Sequence, residues 1–407
     1  MDAGKRSFRL LYSRIKASCV RITGIVGLLA LGACASAIVP SPRTQTPRAE
    51  APRAQAPRSQ PRPQPRTQPR APAPVPRSPT PLPPAAAPIQ RPSAPPAERP
   101  VQASRALEAA IRSLGSSFSG SVGIAVRDVH QDWLIEYNGR RPMPQQSVSK
   151  LWVATTLLDG VDKGRISLSD SVTIRMEDLT LFHQPIRALV GKDGYSTTIS
   201  SLLDRAMTQS DNTANDALLR RAGGPDAVRA FLARNGLSDI RFGPGERLLQ
   251  AGTAGLTWQQ SYSRGIAFQE ARNKLSRQTR EAALDRYLAN PPDGATAVGL
   301  VNGLARLKRG EMLSSRSTDY LIQVMTESRT GPRRLKGGLA PGWRFAHKTG
   351  TGQELGARAT GYNDIALLTA PDGRTYAVAV MIGETTRPIP ERMSLMQAVT
   401  RAIIANH

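Results

Sequence analysis

Two side chains three positions apart carry the first chemical suggestion in this chain: Ser147 and Lys150, in Gln146-Ser147-Val148-Ser149-Lys150. The apolar run Leu151-Trp152-Val153-Ala154 that follows reads as the start of a helix, with Ser147 at its N-terminus and Lys150 one turn later. Positions i and i+3 share a helix face, so hydroxyl and amine point into one cleft. A serine needs an adjacent base to become a nucleophile. A lysine serves as that base when burial or a second cation lowers its pKa. Backbone N–H groups at a helix start stabilise a developing oxyanion. The pattern alone decides little, because it recurs at Ser13-Arg14-Ile15-Lys16, in a segment of leader composition.

Two further motifs make the case. Ser210-Asp211-Asn212 follows Ser147 by 63 residues and precedes a helical stretch at Ala214, where in isolation it would read as a helix N-cap. Lys348-Thr349-Gly350-Thr351-Gly352 ends a strand-like run after Trp343, where in isolation it would read as a glycine-containing strand end. The order S-x-x-K, S-D-N, K-T-G, each on its expected element, is far more specific than any one of them.

The elements that must hold these motifs occupy only part of the chain. Of 407 residues carrying a formal charge of +24, the first hundred are rich in arginine and proline and supply more than half of the excess. The basic residues are not interleaved with aromatics, so a nucleic-acid partner is not expected. The only cysteines are Cys19 and Cys34, which leaves the rest of the chain without a disulfide or thiolate. The four histidines are scattered, and neither metal nor cofactor is expected. Residues 1–33 read as a signal peptide: six basic residues, then Ile25 to Leu31, too short to span a bilayer, then Gly32-Ala33-Cys34. Leu31-Gly32-Ala33-Cys34 resembles a bacterial lipoprotein signal, which implies lipidation of Cys34 and a membrane-anchored periplasmic protein. Ser36 in place of an aspartate fits outer-membrane sorting by the same resemblance. Residues 34–100 repeat Pro-Arg with almost no large apolar side chains and read as an extended tether.

Residues 101–407 are the folding unit. Periodicity predicts a helix over 103–114, a hairpin of strands 122–126 and 133–137, and a helix over 149–161 carrying Lys150. The stretch 168–190 is mixed. Further helices are predicted over 199–207, 214–221, 225–235, 296–307 and 315–326, with a charged, largely helical stretch over 259–288. Strands 343–350, 362–369 and 376–383 and a closing helix 390–404 end the chain. Strands at both ends with helices between imply an α/β (α+β) fold: an antiparallel sheet built from both termini, flanked by helices, with an inserted all-helical lobe.

The three motifs resemble those of the serine penicillin-recognising enzymes, closest to class A β-lactamases. The likeness covers about residues 103–405 and extends to Pro142-Met143, Gln209 to Asp216, Arg333-Arg334-Leu335 before Pro341-Gly342-Trp343-Arg344, and Gly361 to Ala366. It implies Ser147 as the acylated nucleophile, Lys150 as its proton acceptor and Ser210 as proton donor to the leaving nitrogen. It further implies Asn212 on the substrate's side-chain amide, and Lys348, Thr349 and Thr351 on its carboxylate. The backbone N–H groups of Ser147 and Thr351 would form the oxyanion hole. A class A enzyme also needs a glutamate, in E-x-x-L-N, to activate the deacylating water. Glu246-Arg247-Leu248-Leu249-Gln250 lies 36 residues after Ser210 at the family's spacing, with Gln250 for the asparagine and Pro244 where the family has a loop-pinning arginine. Glu246 is expected as that base, against the alternative of a surface glutamate. Some 35 extra residues are expected before Thr296, within which Glu281 also matches E-x-x-L but reads as ordinary helix. The resemblance thus implies a monomeric β-lactamase acting on a small β-lactam. A D,D-peptidase acting on peptidoglycan-like substrates is the first alternative, and a non-catalytic cell-wall-associated lipoprotein the second.

Overall fold

The computed structural model describes residues 103–407. The expected signal peptide, Cys34 and tether lie outside the described residues. In chain order the first elements are α1 (Arg105–Ser117), β1 (Ser121–Asp128), β2 (Leu134–Tyr137), β3 (Met143–Pro144), α2 (Lys150–Asp162), β4 (Ser171–Ile174), β5 (Tyr195–Thr198), α3 (Ile199–Asp204), α4 (Asn212–Arg221) and α5 (Gly224–Arg234). There follow α6 (Glu246–Thr253), α7 (Ala267–Lys274), α8 (Arg277–Ala289), β6 (Gly294–Ala295), α9 (Ala297–Lys308) and α10 (Ser315–Thr326). The chain closes with β7 (Arg344–Gly350), β8 (Glu354–Leu355), β9 (Arg358–Thr369), β10 (Thr375–Thr385) and α11 (Ile389–Ala405).

The main sheet is antiparallel in the order β2-β1-β10-β9-β7, with β8 paired to β9 beyond β7. The first hairpin meets the last strands through β1 and β10, so the sheet is indeed built from both termini. Both faces of β9 and β10 are buried along almost their whole length, which is why these strands read as continuous apolar runs rather than alternating ones. One face is closed by α1 and α11, with Met396 of α11 in one cluster with Ile124, Val126, Tyr376 and Val378 of the sheet. The two helices also meet end to end, where Ser104 Oγ donates to Asn406 Oδ1 at 3.3 Å. The other face is closed by α2 and α9 over Ala125, Ala377, Ala379 and Met381. There Trp152 is fully buried and lies against Gly303, where a side chain's Cβ would stand 2.6 Å from the indole ring.

The expected fold class is the observed one. The middle of the chain forms the helical lobe, with one addition: β4 and β5 pair as a short antiparallel ladder within it. The mixed stretch 168–190 resolves into β4 and two 3-10 turns, Met176–Asp178 and Pro185–Leu189. A second ladder, β3 with β6, has two residues per strand, too few for any periodicity to register. Helix α6 was not foreseen over residues 246–253. The stretch expected as an added segment forms α7 and α8, and Leu284 and Tyr287 of α8 pack on Leu249 of α6. No helix among the described residues is long and apolar enough to cross a membrane.

Candidate active site

Ser147 stands in a 3-10 turn, Gln146–Ser149, that runs directly into α2. Gln146, just before it, adopts φ +54, a left-handed conformation that side-chain-bearing residues rarely hold without support. That support comes from Asp293 and Tyr287. Asp293 Oδ2 accepts the Gln146 N–H at 2.8 Å, and the Gln146 side-chain amide donates to the Tyr287 hydroxyl at 2.5 Å. Tyr287 in turn donates to Asp293 Oδ1 at 3.0 Å. From the sheet side, Asn363 Nδ2 donates to the carbonyls of Pro144 and Gln145 at 2.8 and 3.0 Å. The nucleophile's turn is therefore clamped between β9 and α8.

Lys150 is the hub of the site. Its side chain is buried, and Nζ donates to Ser147 Oγ at 3.0 Å and to Asn212 Oδ1 at 2.9 Å. It also pairs with the carboxylate of Glu246, itself 5% exposed. Glu246 is thus not a surface glutamate. Its helix α6 brings it beneath Ser147, and Gln250 Nε2 sits 3.3 Å from its other oxygen and 3.0 Å from Gln146 Oε1. The loop leading to α6 lacks the pinning arginine, Pro244 standing in its place. Two other contacts hold it: Asp216 Oδ1 accepts the Glu246 N–H at 3.1 Å, and Arg229 donates to the Phe242 carbonyl at 3.1 Å.

Across the cleft, helix α3 widens into a π turn over Arg205–Gln209 and ends at Ser210 with φ +61 and ψ +33. This second left-handed residue aims its hydroxyl at Lys348, whose Nζ donates to Ser210 Oγ at 2.9 Å. In the same triplet Asp211 caps α4, accepting the Ala214 N–H at 3.0 Å, while Asn212 turns to Lys150 and to the Leu181 carbonyl. The isolated-triplet reading as a helix cap therefore holds for Asp211 alone.

Lys348 lies on β7, fully buried, and burial first, then the charge of Lys150, holds its amine well below the usual lysine range. Thr349 Oγ1 lies 2.7 Å from Thr330 Oγ1, and Thr351 is exposed at the cleft's rim. Arg334, quoted above only as neighbouring sequence, is a site residue. Its guanidinium is 3.8 Å above the Tyr362 ring and donates to the Gly350 and Asn363 carbonyls and, at 2.6 Å, to Thr351 Oγ1. Arginines are common, and nothing in the text marks one that reaches across a strand to this threonine. The two carboxyls that frame the network, Asp216 beside Glu246 and Asp293 beneath Gln146, are both pushed up to about 6, chiefly by burial.

Ser147, Ser210, Asn212, Gln250, Arg334, Thr349 and Thr351 line one cleft of about 530 Å3, a size that takes a small molecule. Every residue expected at the site among the described ones is within or directly beneath it. The family model for the Beta-lactamase enzyme family matches residues 106–407. The chain belongs to the β-lactamase enzyme family. Among β-lactamases of known sequence it is 28% identical over 265 residues to β-lactamase VEB-1 of Pseudomonas aeruginosa, covering 65% of this chain and 78% of that protein. The extended-spectrum β-lactamase PER-1 of Pseudomonas aeruginosa is 28% identical over 280 residues, 69% of this chain and 80% of its own. Among solved β-lactamases, an ancestral class A enzyme superposes with a TM-score of 0.58 at 28% identity, covering 74% of this chain and all of that one. Membership of the β-lactamase family and these likenesses make the chain a serine hydrolase of the class A kind.

Proposed function

We propose that this enzyme hydrolyses the amide of a β-lactam through an acyl-enzyme on Ser147, released by water that Glu246 activates. The observation that carries the reading is the reach of Lys150, which joins Ser147 Oγ on one side and the Glu246 carboxylate on the other. In acylation the Ser147 oxygen bonds the lactam carbonyl carbon. Its proton leaves to Lys150, whose Nζ stands 3.0 Å away. The carbon–nitrogen bond then breaks, and Ser210, held by Lys348, supplies the proton to the departing nitrogen. Lys348, Thr349, Thr351 and Arg334 offer the substrate carboxylate a positive, hydroxyl-lined end of the cleft. Asn212, and behind it Gln250, face the acyl side chain and the attacking water. The backbone N–H groups of Ser147 and Thr351 are the oxyanion donors in this reading.

Glu246, buried against Lys150, favours turnover over permanent acylation and so weighs against a D,D-peptidase or an inert lipoprotein. The test is mass spectrometry during incubation with benzylpenicillin. Wild type should show a transient adduct on the Ser147 peptide and accumulate hydrolysed product, and Ser147→Ala should show neither. A stable stoichiometric adduct in wild type would instead establish a penicillin-binding peptidase. We also propose that the protein works as a monomer tethered to the outer membrane through lipid on Cys34. Recovery of unacylated wild-type protein from the soluble periplasm would contradict the tether.

A further inference from the structure

Helix α7 presents Phe268 and Arg272 on one face, four residues apart. Phe268 fixes the helix. It is buried, packs edge-on against Phe182 with ring centres 5.2 Å apart, and meets Tyr262 at 5.8 Å. Phe182 itself, at φ +58 and half exposed, forms part of the cleft wall. Arg272, one turn further along the same face, lines the cleft beside Gln353 and Glu354. One of its five N–H groups is used, Nη2 donating to the Glu354 carbonyl at 2.6 Å, and its Nε is buried without a partner.

The charge on Arg272 is unanswered. Among the described residues it makes no ion pair, and the nearby Glu354 carboxylate turns away to Arg392 at 3.0 Å. Burial first, then the charge of Arg280, hold its guanidinium below the usual arginine range. Arg272 and Arg334 both line the cleft, and each is held by different partners. Arg334 serves Gly350 and Thr351, at the end of β7, whereas Arg272 serves Glu354, further along the chain and across from Gln250. Ser147 lines the same cleft. A substrate whose ring carboxylate meets Arg334 therefore still has Arg272 as a second cation on the cleft wall for its acyl side chain.

We propose that Arg272 is a specificity-determining residue that binds an anionic group on the acyl side chain, so that preferred substrates carry two anions: the ring carboxylate and a side-chain carboxylate or sulfonate. The proposal rests on the reading of the site as a β-lactam hydrolase. The competing role is purely supportive, with Arg272 doing no more than fixing the Glu354 carbonyl.

Two penicillins that differ by one carboxylate, benzylpenicillin and α-carboxybenzylpenicillin, separate these roles. Their kcat/KM values are to be measured for wild type, Arg272→Gln and Arg272→Lys, and for wild type at low and molar salt. The expected result is a fall of about tenfold in the carboxylated-to-plain ratio in Arg272→Gln, the loss of one charge-assisted contact. Arg272→Lys should retain part of the ratio, and salt should lower it in wild type. Equal losses on both substrates, or an unchanged ratio, would overturn the proposal and leave Arg272 as a support. The salt series decides the question even if Arg272→Gln fails to fold, because a salt-independent wild-type ratio also overturns it. A wild type that does not turn over benzylpenicillin would overturn the underlying reading of the site, a failure visible before Arg272 is changed.

Discussion

At the scale of single residues, what matters is which side chains Lys150 can reach. Acylation needs Ser147 and the two lysines, whereas release needs a base with access to the ester from the other side. A positioned general base is worth roughly 10²–10⁴-fold in rate. Glu246→Gln should therefore react with penicillin yet accumulate as an acyl-enzyme on Ser147, which intact-mass measurement after rapid mixing would read directly. Glu281→Gln is the control, since Glu281 pairs with Arg277 on the outer face of α8 at 2.8 Å and should turn over normally. Hydrolysis by Glu246→Gln at the wild-type rate would remove Glu246 from the mechanism. Ser149 offers a second contrast. Its hydroxyl is buried and donates to the Gln146 carbonyl at 2.7 Å, away from Lys150, so Ser149→Ala should still be acylated.

The elements explain which parts of this architecture could be read from the text. The three motifs were legible because each chemical residue type is held at a short, rigid spacing: Lys150 one turn after Ser147, Ser210 and Asn212 flanking a helix cap, Lys348 inside a strand. Long periodic elements such as β9, α9 and α11 were legible for the same reason, many residues repeating one pattern. Helix α6 was not, because Gly245 and Pro244 beside it read as loop and the helix has only eight residues. The left-handed states of Gln146 and Ser210 carry no local signal, since neither is glycine or the residue types that tolerate that conformation best. Nor did the text show that Tyr287 and Asp293 hold the nucleophile's turn, because that contact spans about 140 residues of chain. The packing of α2 on α9 is open to test. Gly303→Ala improves helix propensity by about 1 kcal/mol, but drives a methyl group to 2.6 Å from Trp152 inside a filled core, a strain of about 1–3 kcal/mol. The melting temperature should fall. Gly252→Ala in α6 meets nothing within 4 Å and should leave it equal or higher.

For the molecule as a whole, the buried carboxyls set how stability depends on pH. Asp216 and Asp293 hold their protons up to about 6 when folded, against about 4 when unfolded. Between those values the folded state binds more protons, so stability is fully present below pH 4 and declines as pH rises through 6. For Asp293 the decline is on the order of 3 kcal/mol. Asp293→Asn keeps an acceptor for the Gln146 N–H and should flatten that part of the slope in urea melts taken from pH 4 to 7. A slope identical to wild type would show that Asp293 is ionised throughout.

The meeting of α1 with α11, Ser104 against Asn406, closes the path of the chain into a loop. The sequence of elements has therefore no privileged starting point within the folded unit, and its order is cyclic. A gene rewritten so that a short Gly/Ser bridge joins His407 to Ser104, opening instead in the exposed turn Gly191–Asp193, should yield the same cleft and the same turnover from a differently ordered polypeptide.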